Sequence, residues 1–168
     1  MKAKAVSVPA SQTVAMFYHL MRGGLTDTMT MILGRATGQG WRVMIRCPDG
    51  ALAQKLDDLL WLPEGSFVPH GQAMGKGTDA RQPVLIGPGA AVNAPRGLML
   101  LAGADVLPDD PADLERIWLL FDGADEGAVA HARSQWTDLT AQGLAAQYWS
   151  DETGAWVKKT DRAAQTQI

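Results

Sequence analysis

The chain has 168 residues, which suits one domain and is too few for two ordinary ones, and it carries a net charge of −3 from 15 Lys+Arg against 18 Asp+Glu. A hydrophobic fraction of 46% is enough for a core, while the charge balance excludes a basic protein that coats nucleic acid by charge alone. The single cysteine, Cys47, excludes an internal disulfide and any multi-cysteine zinc or iron–sulfur site. No apolar run approaches the ~20 residues of a membrane span. Pro9, Ser11 and Gln12 stand where a secretory signal needs its apolar stretch, so the expected location is the cytoplasm.

The first 14 residues are small and polar without period, and read as a flexible arm ahead of the folded part. Ala15 to Leu20 is short, apolar and aromatic-rich, the composition of a buried strand, and Gly23-Gly24 breaks it. Thr26 or Asp27 is the expected cap of a helix with Leu25, Met29, Ile32, Leu33 and Ala36 at helical spacing, ending at Gly38/Gly40. Trp41 to Cys47 is the second strand. Asp49 then caps a helix in which Leu52, Leu56, Leu59 and Leu60 recur at three and four residues. Residues 63 to 83 hold Pro63, Gly65, Pro69, Gly71, Gly75, Gly77 and Pro83 and predict a long connection of little regular structure.

Val84 to Ile86 and Leu98 to Leu101 follow as strands, then a helical turn over Asp109 to Glu115 and an apolar strand from Ile117 to Phe121. The strongest helix begins at Asp125-Glu126, whose charges favour its positive end, and stops at Gly143. Leu144 to Trp149 and Ala155 to Lys158 are the last strands, an antiparallel pair across the turn Asp151 to Gly154, and residues 160 to 168 read as a loose polar tail. Strands that alternate with helices and are apolar on both faces predict a mostly parallel α/β sheet covered on both sides, one domain over residues 15 to 159.

A strand-then-helix fold invites a nucleotide. The first junction, Arg22-Gly23-Gly24, lacks the spaced third glycine of a dinucleotide fingerprint. Gly71 and Gly75-Lys76-Gly77-Thr78 have the wrong spacing for a phosphate loop, and Pro83 forbids the helix that would have to follow. His19, His70 and His131 have no metal-ligand spacing, Cys47 has no activating neighbour in sequence, and Asp57-Asp58 point about 100° apart on a helix. No catalytic constellation, cofactor motif or metal motif emerges, so catalysis is the weaker hypothesis, with a nucleotide-utilising α/β enzyme as the alternative. Direct binding of single-stranded DNA is a third reading, disfavoured by the charge. The aromatic set is skewed towards tryptophan, six against three Phe and two Tyr. Trp41, Trp118 and Trp149 read as strand core, whereas Trp61 ends a helix next to a proline-held segment and points to a protein interface.

These landmarks resemble the chi subunit family of bacterial DNA polymerase III. The resemblance is carried by Phe17-Tyr18-His19-Leu20, by Gly40-Trp41-Arg42-Val43, and by Leu56-Asp57-Asp58-Leu59-Leu60-Trp61. Ser66-Phe67-Val68-Pro69-His70, Pro83-Val84, Ala141-Gln142-Gly143 and Trp156 continue it, so that it spans residues 16 to 159. It implies a three-layer Rossmann-like sandwich without a working dinucleotide site. The implied role is non-catalytic, an accessory subunit that links the clamp loader, through the small psi subunit, to the acidic, phenylalanine-ended tail of single-stranded DNA-binding protein. In some members the psi surface also receives an XPD-like helicase. On this sequence the family's tail site falls on Arg133 and Trp136, neighbours on one helical face, with His131 and the cluster Lys158, Lys159 and Arg162 as further sources of charge. Positions that can be lysine in relatives hold Val129 and Thr137 here. Because Val129, Ala132, Trp136 and Leu139 also form an apolar stripe, Trp136 reads equally as core and as slot lining. The partner surface falls on Trp61, Phe67, Pro69 and His70.

Overall fold

A computed structural model describes residues 13–61 and 68–165. Its elements in chain order are β1 (Val14–Leu20), α1 (Leu25–Gly38), β2 (Val43–Arg46), α2 (Gly50–Trp61), β3 (Gly71–Gln72), β4 (Val84–Gly87), β5 (Gly97–Leu101), β6 (Arg116–Asp122), α3 (Glu126–Ala141), β7 (Ala145–Ser150) and β8 (Val157–Arg162). The strands join in one sheet ordered β3-β4-β2-β5-β6-β1-β7-β8. All neighbours are parallel except β7 and β8. Every residue of β2, β4 and β5 is buried, as expected of strands covered on both faces.

Alternation divides the core in two. Tyr18, Ile45, Ile86, Met99, Trp118 and Leu120 pack under Met29 and Leu33 of α1 and Leu56 and Leu60 of α2. Phe17, Met44, Leu85, Leu98 and Leu119 face the other way, towards Ala132 and Leu139 of α3. On the first face Trp118 lies against β5 at Gly97, where a Cβ would come within 2.3 Å of the indole. A single helix cannot cover all of the second face. Loop residues Ala91, Ala104, Val106 and Leu114 cover the rest. One outer layer is therefore part helix and part loop.

That loop depends on a charge pair. Arg46, at the end of β2, reaches Asp110 with two bonds of 2.6 and 2.7 Å and also donates to the carbonyls of Gly89 and Asp105. Both side chains are 3% exposed. Asp110 also accepts from the Leu107 N–H at 2.7 Å. The expected helical turn over Asp109 to Glu115 is absent for this reason. The acid is spent on a guanidinium 64 residues away rather than on a helix end, and the segment is a series of turns.

Asp49 caps α2 as read, its Oδ1 accepting from the Leu52 N–H at 2.8 Å. Neither Thr26 nor Asp27 caps α1, which begins at Leu25 after Gly24 and has no side-chain cap. Gly143, with φ of 89°, follows the end of α3. The connection after α2 is less irregular than expected, since β3 pairs with β4 and a 3₁₀ turn spans Gly77–Arg81. The buried Asp79 organises that stretch by accepting from the N–H groups of Met74 and Gly75. At the carboxyl end β8 pairs with β7 as far as Arg162 opposite Ala146, three residues into the expected tail. Val14 pairs with Arg116 and Ala145, so the expected arm is shorter by at least that residue, and residues 1–12 lie outside the described ones.

Candidate functional site

The carboxyl ends of the parallel strands are where a nucleotide would sit in a fold of this class. Here the turn after β1 is already filled. The N–H groups of Met21, Arg22 and Gly23 donate to the carboxylate of Asp151, at 2.6, 3.1 and 2.5 Å. Burial works to raise the pKa of Asp151, but these backbone bonds outweigh it and hold the carboxyl below the usual carboxylate range. The adjoining cavity, about 280 Å³, is lined largely by apolar residues such as Leu20, Leu25, Leu52 and Leu56, with Asp122, Asp125, His131 and Gln135 also at its wall. Among the described residues no group of three or more His, Cys, Asp or Glu is placed to hold a metal. No helix among them is long and apolar enough to cross a membrane. Cys47 is buried, and burial pushes its thiol up, away from the reactive thiolate.

Asp151 offers a stability test. A carboxyl held low in the fold stabilises above the unfolded value, and that stability is lost as pH falls through the folded value. Asp151→Asn is expected to cost about 2–3 kcal/mol at pH 7. The gap to the parent should shrink below about pH 4, near the ordinary Asp value. Urea unfolding of both proteins across pH 2.5–7 measures it, and a pH-independent gap would refute the assignment.

On the α3 face an aromatic cluster leads to the surface. Asp125 caps α3, its Oδ1 accepting from the Ala128 N–H at 3.1 Å. Trp136 packs edge-on against Phe17, with centroids 5.2 Å apart at 60°, and meets Tyr148 at 6.3 Å. The Tyr148 hydroxyl is 2.9 Å from His19 Nδ1, and the His19 ring stacks on Phe121. Burial raises the Tyr148 hydroxyl above the ordinary tyrosine range, while the charge of Arg133 pulls it the other way. Arg133, Trp136, Thr137, Tyr148 and Thr160 line an open cavity of about 340 Å³. Trp136 is half-buried, packing on the core at Phe17 and also lining this cavity.

The charges around it separate. Among the described residues the guanidinium of Arg133 meets no carboxylate within ion-pair distance. Arg162 lies two residues beyond Thr160 on β8, hence on the same face, opposite Ala146. Lys158 is paired with Asp161, and Lys159 with Glu152. His131 is not part of the group. Two helix positions from Arg133 it points about 200° away, where its Nε2 lies 3.0 Å from Asp105 and Gln135 bonds the same carboxylate. Tyr148 and Thr160 are the site residues that sequence reading missed. The alternation of β7, with Ala146 and Tyr148 facing α3, was the available signal for the tyrosine.

The second group lies across the sheet, at the end of α2. Trp61 is 58% exposed and its ring is 4.7 Å from that of His70. The His70 side chain is fully covered, with Nδ1 2.6 Å from the Val68 carbonyl and Nε2 3.2 Å from both the Asp57 carbonyl and its carboxylate. His70 therefore holds Trp61 from beneath, and its side chain offers a partner no surface. Pro69 is exposed beside it, and Phe67 lies outside the described residues.

Compared with known protein families, residues 13–147 match the family described as DNA polymerase III chi subunit, HolC. No curated protein matches the chain.

Proposed function

Because the chain belongs to the DNA polymerase III chi subunit family, and so to the machinery of DNA replication, we propose that it is a non-catalytic adaptor. In this reading it grips the acidic, phenylalanine-ended tail of single-stranded DNA-binding protein in the cavity between α3 and β8. The observation that carries the reading is the placing of the unpaired Arg133 beside a cavity walled by Trp136 and Tyr148. A terminal phenylalanine needs an apolar slot, its carboxylate needs a guanidinium, and aspartates upstream need a further cation, for which Arg162 on the same face is placed, with Lys158 and Lys159 farther along β8. On the opposite face, Trp61 and the neighbouring Pro69 offer a second surface for the psi subunit, and through it the clamp loader, or for an XPD-like helicase. Lying on the two sides of one sheet, α2 and α3 allow both partners to be held at once. The place of action is the cytoplasm, where the replicating strand is.

Arg133→Ala is expected to weaken a synthetic acidic peptide ending in phenylalanine by about 1–3 kcal/mol, as for a charge-assisted bond, on the order of 5- to 150-fold. The melting temperature should stay the same, because the exposed side chain makes no ion pair within the fold. Calorimetric titration measures the first and thermal unfolding the second. An unchanged titration would remove the assignment. The alternative, a nucleotide-utilising enzyme, expects a thermal shift with ATP or NAD instead of the peptide. Asp151 in the first turn and the leucine-lined crevice count against that alternative.

A further inference from the structure

Beyond a slot for one side chain, the site borders a sheet edge that is open among the described residues. β8 is the last strand in the order, and its one strand partner among the described residues is β7. All six of its residues are exposed. An edge of this kind presents a row of N–H and C=O groups ready to pair, and proteins usually blunt it by covering or by charge. The charge here has one predominant sign. Lys158, Lys159 and Arg162 lie on the strand and Arg133 stands nearby, against Asp161 and Glu152. Two of those cations are held in exposed surface pairs, which cost little to exchange for an incoming carboxylate. In a chain whose net charge is −3, such an edge is a local reversal.

We propose that the outer edge of β8 takes the acidic peptide as an added antiparallel or parallel strand, so that main-chain bonds supply affinity and the cavity reads alternate side chains. The inference rests on the tail reading above and adds the mode of binding to it. Three features support it. Thr160 belongs both to β8 and to the cavity lining, so a peptide on this edge lies one strand from Tyr148, and its side chain level with Thr160 reaches across β8 towards the slot. An added strand would lie about 4.8 Å beyond β8, and its side chains level with Thr160 and Arg162 would face α3. A register shift between Tyr148 and Trp149 leaves Lys159 without an opposite residue, the kind of bulge that accompanies edges and binding sites. An acidic polypeptide fits better than a nucleic acid, because a strand edge offers bonds that only another peptide backbone satisfies in register.

The test uses the full chain and a synthetic peptide of aspartates ending in phenylalanine with a free carboxylate. Binding is expected to slow hydrogen exchange at least tenfold at the β8 amides that point away from β7. N-methylation along the peptide should weaken it tenfold or more at every second position. If Arg133→Ala weakens the peptide but β8 exchange is unmoved and N-methylation shows no alternation, the tail site stands and strand addition falls. If the peptide does not bind, or Arg133→Ala changes nothing, both fall. Displacement of the peptide by a thymidine oligonucleotide that gives the same β8 protection would make the edge a nucleic-acid surface and overturn the proposal.

Discussion

Asp110→Ala is expected to lower the unfolding free energy by about 3–5 kcal/mol, the largest effect of any substitution considered in this chain, by leaving the Arg46 guanidinium buried without its counterion. The two side chains are 3% exposed and joined by two bonds. Solvent therefore cannot replace the lost carboxylate without opening the loop that covers β2 and β5. The same loop loses the bond from the Leu107 N–H. Asp110→Asn should fall between parent and alanine variant, since one amide oxygen can accept from Arg46 but the charge is gone. Exchanging both partners, as in Arg46→Met with Asp110→Leu, is expected to recover most of the loss, because an apolar pair leaves no charge behind. Urea unfolding with unchanged slope measures all three. A cost below about 1 kcal/mol for Asp110→Ala would mean that water reaches the pair.

Trp136→Ala should reduce stability by about 3 kcal/mol and weaken the acidic peptide by about 2 kcal/mol or more. The first follows from deleting a ring that packs edge-on against the fully buried Phe17 and against Tyr148, at the low end of aromatic truncations because the side chain is only half-buried. The second follows from losing one wall of the cavity, where a desolvated aromatic carries much of a binding energy. Trp136→Phe separates the two. It keeps a ring against Phe17 and most of the stability, while narrowing the wall that a phenylalanine ligand would meet. Arg133→Ala is the complementary probe, with affinity lost and stability kept. Should Trp136→Ala unfold the chain no more easily than the parent, the aromatic cluster would not be part of the core.

Much of the fold was legible from periodicity. The apolar runs at Ala15–Leu20, Val84–Ile86, Leu98–Leu101 and Ile117–Phe121 fall within β1, β4, β5 and β6, since a strand buried on both faces needs apolar residues throughout. Asp49 and Gly143 marked helix ends because capping is local chemistry. Asp110, Asp151 and Asp79 were not legible in this way. Each is an acid near a turn, and nothing adjacent in sequence says whether it caps a helix, bonds distant backbone or neutralises an arginine. The 3₁₀ turn after β3 and the extension of β8 to Arg162 escaped for a related reason. Polar segments carry no period until a neighbouring strand or a buried carboxylate holds them.

Of the candidate site, the sequence alone determined the residue types: an arginine and a tryptophan three apart on one helix, a tryptophan closing another, and a chain too poor in cations to coat a nucleic acid. The tertiary structure decided which of them meet. It set Tyr148 and Thr160 beside Arg133, turned His131 to Asp105 and placed His70 beneath Trp61, because strand order and sheet face are settled by pairings between separate segments, some as distant as β1 with β6 and β7. Helical spacing is a property of a few consecutive residues, whereas an assembled surface depends on how the layers pack, and only the folded chain specifies that.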